Sequence, residues 1–273
     1  MGPKNLGAYL LALASLAVSC GVQAAAINRV AYDPNGGFGV ALGGLQCETD
    51  PPVSPSASGC TIDNLLDLGN VKFGERFEGQ TLSRSGNSDM LGGHESVQSP
   101  QWLLTGDAGK NLALVDGGAD GILLAGVGPD GSNGGTPKTD ALGTGALSLF
   151  FNNDQSRFDF ILHGWDGFDA DNNQSTLFLA FFNFEGVLIG DVLALSDLAD
   201  GKNELGFSRE GGRKDIAGVS IWSNDDFGFQ ISGMRHDVDG DREPGGTVPA
   251  PSALLLSGLA LLAASRATRR KNV

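Results

Sequence analysis

The sequence predicts an all-β protein, a single jelly-roll-like antiparallel β-sandwich flanked by an N-terminal signal helix and a C-terminal hydrophobic helix. Three observations lead there. Glycine is the commonest residue, 42 of 273, and it gathers in clusters that read as turns, such as Pro34-Asn35-Gly36-Gly37, Asp116-Gly117-Gly118 and Ser132-Asn133-Gly134-Gly135. Between these clusters the apolar residues alternate or run in short blocks, so that period two dominates. Two short apolar runs stand at the two ends of the chain.

At the N-terminus, Lys4 precedes an apolar run over residues 6–18, followed by Gln23-Ala24-Ala25-Ala26. This is the pattern of a secretory signal peptide over residues 1–24, with small residues at the cleavage site and a mature chain starting near Ala25 or Ile27. A competing reading takes Ala17-Val18-Ser19-Cys20-Gly21 as a lipobox, which would leave a lipoprotein anchored at Cys20.

The sandwich is expected over residues 27–236. Strand patterns occur at 28–32, 38–42, 111–115, 121–124 and 146–151. Phe158, Phe160 and Leu162 alternate with Arg157, Asp159 and Ile161, which predicts a strand with one buried and one open face. Residues 176–184 are almost wholly apolar, the signature of a central strand covered on both faces, and a Glu185-Gly186 turn leads into a partner strand over 187–195. Ala217, Val219 and Ile221 share one face, and Phe227, Phe229 and Ile231 share another. Helical turns are expected only at 61–66 and 195–199. Ten to twelve strands with no alternation of helix and strand favour a two-sheet sandwich over any α/β architecture.

Beyond the sandwich, residues 237–247 are polar, acidic and rich in Gly and Pro, as a flexible stalk would be. Residues 248–273 then read Val248-Pro249-Ala250-Pro251, an apolar run over 252–264, and the cations Arg266, Arg269, Arg270 and Lys271. The run is shorter than the roughly 20 residues of a comfortable helical span. Its cationic end should stay cytoplasmic, which places the body of the protein on the outer side.

Charge narrows the partners. The chain carries 18 Lys and Arg against 32 Asp and Glu. Five of the cations, Lys4, Arg266, Arg269, Arg270 and Lys271, lie in the terminal segments with no acid, so thirteen cations face 32 acids and the remainder carries −19. Such a surface repels phosphates and suits divalent cations or neutral polymers, which excludes nucleic acid as a partner. With Cys20 in the signal peptide, Cys47 and Cys60 remain as an even pair that should form a disulfide in an oxidising compartment.

Candidate chemistry is sparse. Asp166-Gly167-Phe168-Asp169-Ala170-Asp171-Asn172-Asn173 packs three carboxylates and two amides into eight residues, a density of hard oxygen ligands that suits Ca²⁺ on Asp166, Asp169 and Asp171. An EF-hand register starting at Asp169 fails, because Gln174 occupies the glycine position and Ala180 the bidentate-glutamate position. Asp237-Val238-Asp239-Gly240-Asp241 has a one-three-five spacing but continues into Arg242. Trp165, beside the acidic loop, could stack on a sugar ring, although tryptophans in a sandwich mostly serve the core. His94, His163 and His236 are scattered, and no Gly-x-Ser-x-Gly or His-Glu-x-x-His motif occurs. Paired carboxylates for glycoside hydrolysis are set by fold and not by spacing.

The C-terminal pattern resembles the PEP-CTERM sorting signal of Gram-negative bacteria, on Val248, Pro249 and Pro251, the short apolar helix and Arg266, Arg269 and Arg270, with Ala250 where that family usually has Glu. The body is similar to the jelly-roll domains often found upstream of that signal, most clearly over residues 207–221. The closing strand of those domains often ends in Asp-Asn-Leu, where this chain has Ser232-Gly233-Met234. The resemblance implies export through the secretion machinery, an inner-membrane intermediate, recognition by an exosortase, and release to the cell surface or extracellular matrix. The expected function is that of a non-enzymatic surface or biofilm-matrix protein that binds carbohydrate such as exopolysaccharide. The alternatives are a secreted glycan-active enzyme and a lipoprotein anchored at Cys20.

Overall fold

The computed structural model describes residues 26–48, 52–169 and 171–237. The signal segment, the stalk beyond Asp237 and the C-terminal segment, with Val248, Pro249, Pro251 and the arginine tail, lie outside the described residues. Among the described residues no helix is long and apolar enough to cross a membrane.

The described chain is all-β, with every strand pairing antiparallel. One sheet holds β1 (Ile27–Val30), β2 (Phe38–Gly39), β3 (Cys60–Ile62), β10 (Leu112–Asp116), β11 (Ile122–Val127), β14 (Leu142–Gly145), β16 (Arg157–Trp165), β19 (Gly201–Arg209) and β21 (Gln230–His236). Its main path runs β1-β19-β16-β21-β11-β10-β3. The second sheet runs β18-β17-β20-β15-β5-β4, built from β4 (Leu66–Asp67), β5 (Val71–Gly74), β15 (Leu147–Gln155), β17 (Leu177–Phe182), β18 (Leu193–Leu195) and β20 (Ile216–Ser223). Three small pairs complete the set: β6 (Arg76–Phe77) with β9 (Leu103–Leu104), β7 (Thr81–Ser85) with β8 (Ser88–Gly92), and β12 (Ser132–Asn133) with β13 (Thr136–Pro137).

The two large sheets face each other across one core, as in a β-sandwich. Alternation puts Phe158, Phe160 and Leu162 of β16 and Leu205 and Phe207 of β19 on the inner face of the first sheet, all fully buried. Leu147, Leu149 and Phe151 of β15, Leu177, Leu179 and Phe181 of β17, and Val219 and Ile221 of β20 meet them from the second. Edge-on rings cross the interface from Phe151 to Phe158, 5.6 Å between centroids, and tilted rings from Phe181 to Phe207, 5.5 Å.

The second sheet is covered on its outer face too, as the apolar run at 176–184 predicts. Phe150, Phe182 and Trp222 point outward into a second core closed by Phe77, Leu91, Val97 and Leu103, from the segment that contains the β7–β8 hairpin. This cover lies so close that a Cβ at Gly218 would come within 2.5 Å of the Pro100 side chain and 2.7 Å of the Phe77 ring. Polar groups under the cover satisfy one another. The Ser148 and Ser220 hydroxyls lie 2.7 Å apart, Ser220 donates to Gln80 Oε1, and the Gln80 amide nitrogen meets His94 Nδ1 at 3.1 Å.

Cys47 and Cys60 form the disulfide. It ties the segment before β3 to the edge of the first sheet, closing a short loop, which contributes about 2–3 kcal/mol in the chain-entropy picture.

Several expectations are corrected. Residues 61–66 form no helical turn: Cys60–Ile62 is drawn into strand pairing with β10, and Leu66–Asp67 pairs with β5. The segment after Leu195 carries no helix either, and short 3₁₀ turns occur instead at His94–Ser96, Gly118–Asp120 and Glu210–Gly212. The partner strand expected over 187–195 reduces to Leu193–Leu195 and one bridge, Phe182 to Leu188. β16 buries Asp159 to 1 % exposure, so its second face is not open, because residues 31–33 cross it and Arg157 bonds both Asp159 (2.7 Å) and the Ala31 carbonyl (2.6 Å).

Strand register places both ends of the described body together. Ile27 pairs with Arg209, Ser208 with Arg157, and Phe158 with His236, in adjacent rows. Asp237 locks that end by accepting hydrogen bonds from the Ser156 amide (2.8 Å), the Ser156 hydroxyl (2.5 Å) and the Arg157 amide (3.2 Å). The opposite end of the same strands is marked by the pairs His163 with Gln230 and Trp165 with Gly201.

The close cover over β20 makes a testable demand. Gly218→Val should lower stability by about 1–3 kcal/mol through overpacking, read as a lower midpoint in urea unfolding. An unchanged midpoint would mean that the cover is not seated on this sheet.

Candidate functional site

Four loops converge at the end of the sandwich remote from Ile27 and His236: the β7–β8 tip, residues 128–141, residues 166–175 and residues 224–229. Asp225 is the pin that joins three of them, all but residues 128–141. Its carboxylate accepts the amides of Gly167 (3.0 Å) and Phe227 (3.1 Å), and its carbonyl accepts the Ser88 hydroxyl (3.0 Å). Next to it, Asp226 accepts the Asn87 side-chain amide at 2.6 Å while its own amide bonds the Phe168 carbonyl at 3.0 Å. Gly228, at φ 73°, lies against the backbone of Gly143, which a Cβ would approach to 2.2 Å, so the two loops cross only as glycines.

Asp225 is fully buried. Burial pushes its carboxyl from 3.8 up to about 7, helped by the nearby charge of Asp166 and opposed by the hydrogen bonds from Gly167 and Phe227.

The acidic loop is organised from within. Asp166 accepts the Phe168 amide at 2.9 Å, and Asp169 Oδ1 accepts the amides of Asp171 (3.0 Å) and Asn173 (2.8 Å). Asn172, at φ 61°, makes the left-handed turn between them. Asp169 and Asp171 share a small recess with Asn224 and Asp226, yet no three or more His, Cys, Asp or Glu side chains converge at metal-binding separation among the described residues.

Trp165 is 1 % exposed and belongs to the core, so its indole offers no face for a sugar. The exposed rings at this end are Phe168, 50 % exposed, and Phe227, 70 % exposed. Phe227 departs from the face it was expected to share with Phe229 and Ile231, because β21 starts only at Gln230 and the turn at Gly228 separates it from the strand. It borders a groove of about 680 Å³ at this end, with Asn87, Asn133, Thr136, Lys138, Thr139, Asp140 and Asp226. Amides, hydroxyls and carboxylates beside an open aromatic edge both donate and accept hydrogen bonds, as sugar hydroxyls require.

The histidines stay apart. His94 stacks on Trp222 at 5.0 Å, and His236 packs against Phe151. His163 lies between the Ser232 hydroxyl (2.7 Å) and Asp120 (3.7 Å), an order that a hydrolytic relay also uses. Both Ser232 and His163 are buried in the sheet face, neither lines the distal groove, and Asp120 is held by Lys202 at 2.9 Å. The arrangement therefore serves as a cross-strand polar link.

The chain matches no known family model, no curated protein and no solved structure.

Asp225 carries a signature in stability. A carboxyl whose folded value is raised binds a proton that the unfolded chain has lost, so its contribution is full below about 3.8 and is lost as pH rises through about 7. Melting experiments should show stability falling by on the order of 1–3 kcal/mol between pH 5 and pH 8. Asp225→Asn should flatten that slope whatever it does to the absolute melting point, and an equally steep slope in the variant would remove Asp225 from this role.

Proposed function

We propose that this chain is an exported, non-enzymatic surface or matrix protein whose sandwich binds neutral carbohydrate at its distal groove. The observation that carries the reading is the position of that groove: Phe227 and its polar neighbours lie at the end opposite the one where the described chain starts and finishes. A tether continuing past Asp237 would hold the near end and present the groove outward. The acidic balance of the chain, net −14, suits a neutral polyhydroxyl ligand better than an anionic one.

The PEP-CTERM-like signal over residues 248–273, processing by an exosortase, the inner-membrane intermediate, the two flanking helices and a jelly-roll connectivity belong to this same proposal. The order of prolines, apolar run and cations supports the signal, Lys4 and the apolar run over residues 6–18 support the N-terminal helix, and the likeness over residues 207–221 supports the jelly roll. Exopolysaccharide is then the natural ligand class.

Two measurements test the proposal. Mass spectrometry of the exported protein should find neither the Lys4 nor the Arg270 peptide, and intact C-terminal peptides in all exported material would replace the removable signal by a permanent anchor. On a glycan array, neutral oligosaccharides should bind the exported protein, and Phe227→Ala should weaken that binding about tenfold, the scale of one lost aromatic contact. Equal binding by the variant would move the site away from the groove.

A further inference from the structure

A second cleft, of about 240 Å³, opens beside the cover of the second sheet and is lined by Glu75, Arg76, Leu82, Asp89, Thr105, Asp107, Lys110 and Pro129. Asp89 is only 9 % exposed, yet among the described residues no hydrogen bond or ion pair closes on its carboxylate. Three cations act on it from a distance, Lys110, Arg84 and Arg76. Two of them are committed elsewhere. Arg84 bonds Asp130 at 3.1 Å and the Gly86 carbonyl at 2.9 Å, and Arg76 is paired with Glu75. Lys110 is the free one among the described residues, where its ammonium makes no hydrogen bond or ion pair while its stem lies along Gly131.

A buried carboxylate and a free ammonium on the walls of one cleft, neither satisfied and not in contact, leave room for a molecule that offers a cation to one and an acceptor to the other. Leaving such a carboxylate unpaired costs several kcal/mol, a cost that ligand sites carry and structural sites avoid. We propose that this cleft binds a small ligand bearing a protonated primary amine beside an oxygen acceptor, with Asp89 taking the amine and Lys110 the acceptor. That chemistry is shared by amino sugars and α-amino acids. The volume, below the usual range of roughly 300–1,000 Å³ for small-molecule sites, suits one sugar ring or one amino acid.

Glu75, also buried at 4 % exposure, pairs with Arg76 on the same cleft wall, and Arg76 reaches Asp89 only through its field. Burial pushes Glu75 up to about 7 and Asp89 up to about 6. Ligand binding should therefore strengthen from pH 5 to pH 7.5 as the two ionise, with Arg76, Asp107 and Lys110 as the other charges lining the cleft and Arg84 and Asp130 acting on Asp89 from beyond it.

The test uses calorimetric titration of the full exported chain with D-glucosamine, L-alanine and N-acetyl-D-glucosamine. One of the two free amines should bind, which names the source, and the acetylated sugar should not. Asp89→Asn should reduce affinity at least about tenfold, and Lys110→Met several-fold. Asp89→Asn should melt no lower than the parent, because a neutral amide is cheaper to bury than a charge. If that variant fails to fold, protection of Lys110 from acylation by the bound amine in the unaltered protein reads the same contact. Three results would overturn the proposal: equal binding of the acetylated sugar, affinity unchanged by both substitutions or Lys110 unprotected, and no binding of either amine at about 10 mM.

Discussion

The structure depends on the double burial of the six-stranded sheet. Its inner face meets the phenylalanines of β16 and β19, and its outer face meets the cover that carries Phe77, Val97 and Leu103. A strand buried on both faces has no room for charge, and β17 and β20 have none. The cover in turn places the β7–β8 hairpin. One end of that hairpin supplies Asn87 to the distal groove and its flank supplies Asp89 to the cleft. Both candidate sites are therefore products of the same packing.

An acidic chain must place its carboxylates somewhere, and here many of them serve as acceptors for backbone amides. Asp225 pins two loops, Asp169 closes its own loop, and Asp237 clamps the β15–β16 turn. Each satisfies amides that turns leave without a strand partner, which the backbone must do somewhere. This use of acid is structural and needs no ligand. Asp89 differs because three cations act on it only from a distance and no donor among the described residues closes on its carboxylate.

The two sites differ in character. The distal groove is wide and open, and its amides, hydroxyls, carboxylates and one lysine both donate and accept, with Phe227 at its edge, as suits a polymer that passes across it. The cleft is small and carries opposed charges, as suits a single compact molecule. The described body starts and finishes at one end of the sandwich and the groove lies at the other, while the cleft is lined by a separate set of residues.

Much of the architecture was legible because strand patterns are local. Alternation at 157–162 marks the strand and its inner face, though not the cover over Asp159, the unbroken apolar run at 176–184 marks a fully buried strand, and the even pair Cys47 and Cys60 needs only proximity to join. The acidic loop, too, was visible as a cluster within eight residues. What only the tertiary structure decided was direction and company. A turn at Gly228 sends Phe227 outward and Phe229 inward, and the end of β16 sends Trp165 into the core, choices that residue type does not encode. The backbone of residues 61–66 took strand pairing over a helical turn because β10 and β5 offered partners. Asp89 and Lys110 belong to different segments and show no shared motif. They face one cleft because strand order and the folded-over cover bring them there, and long-range packing of this kind leaves no period in a sequence to be read.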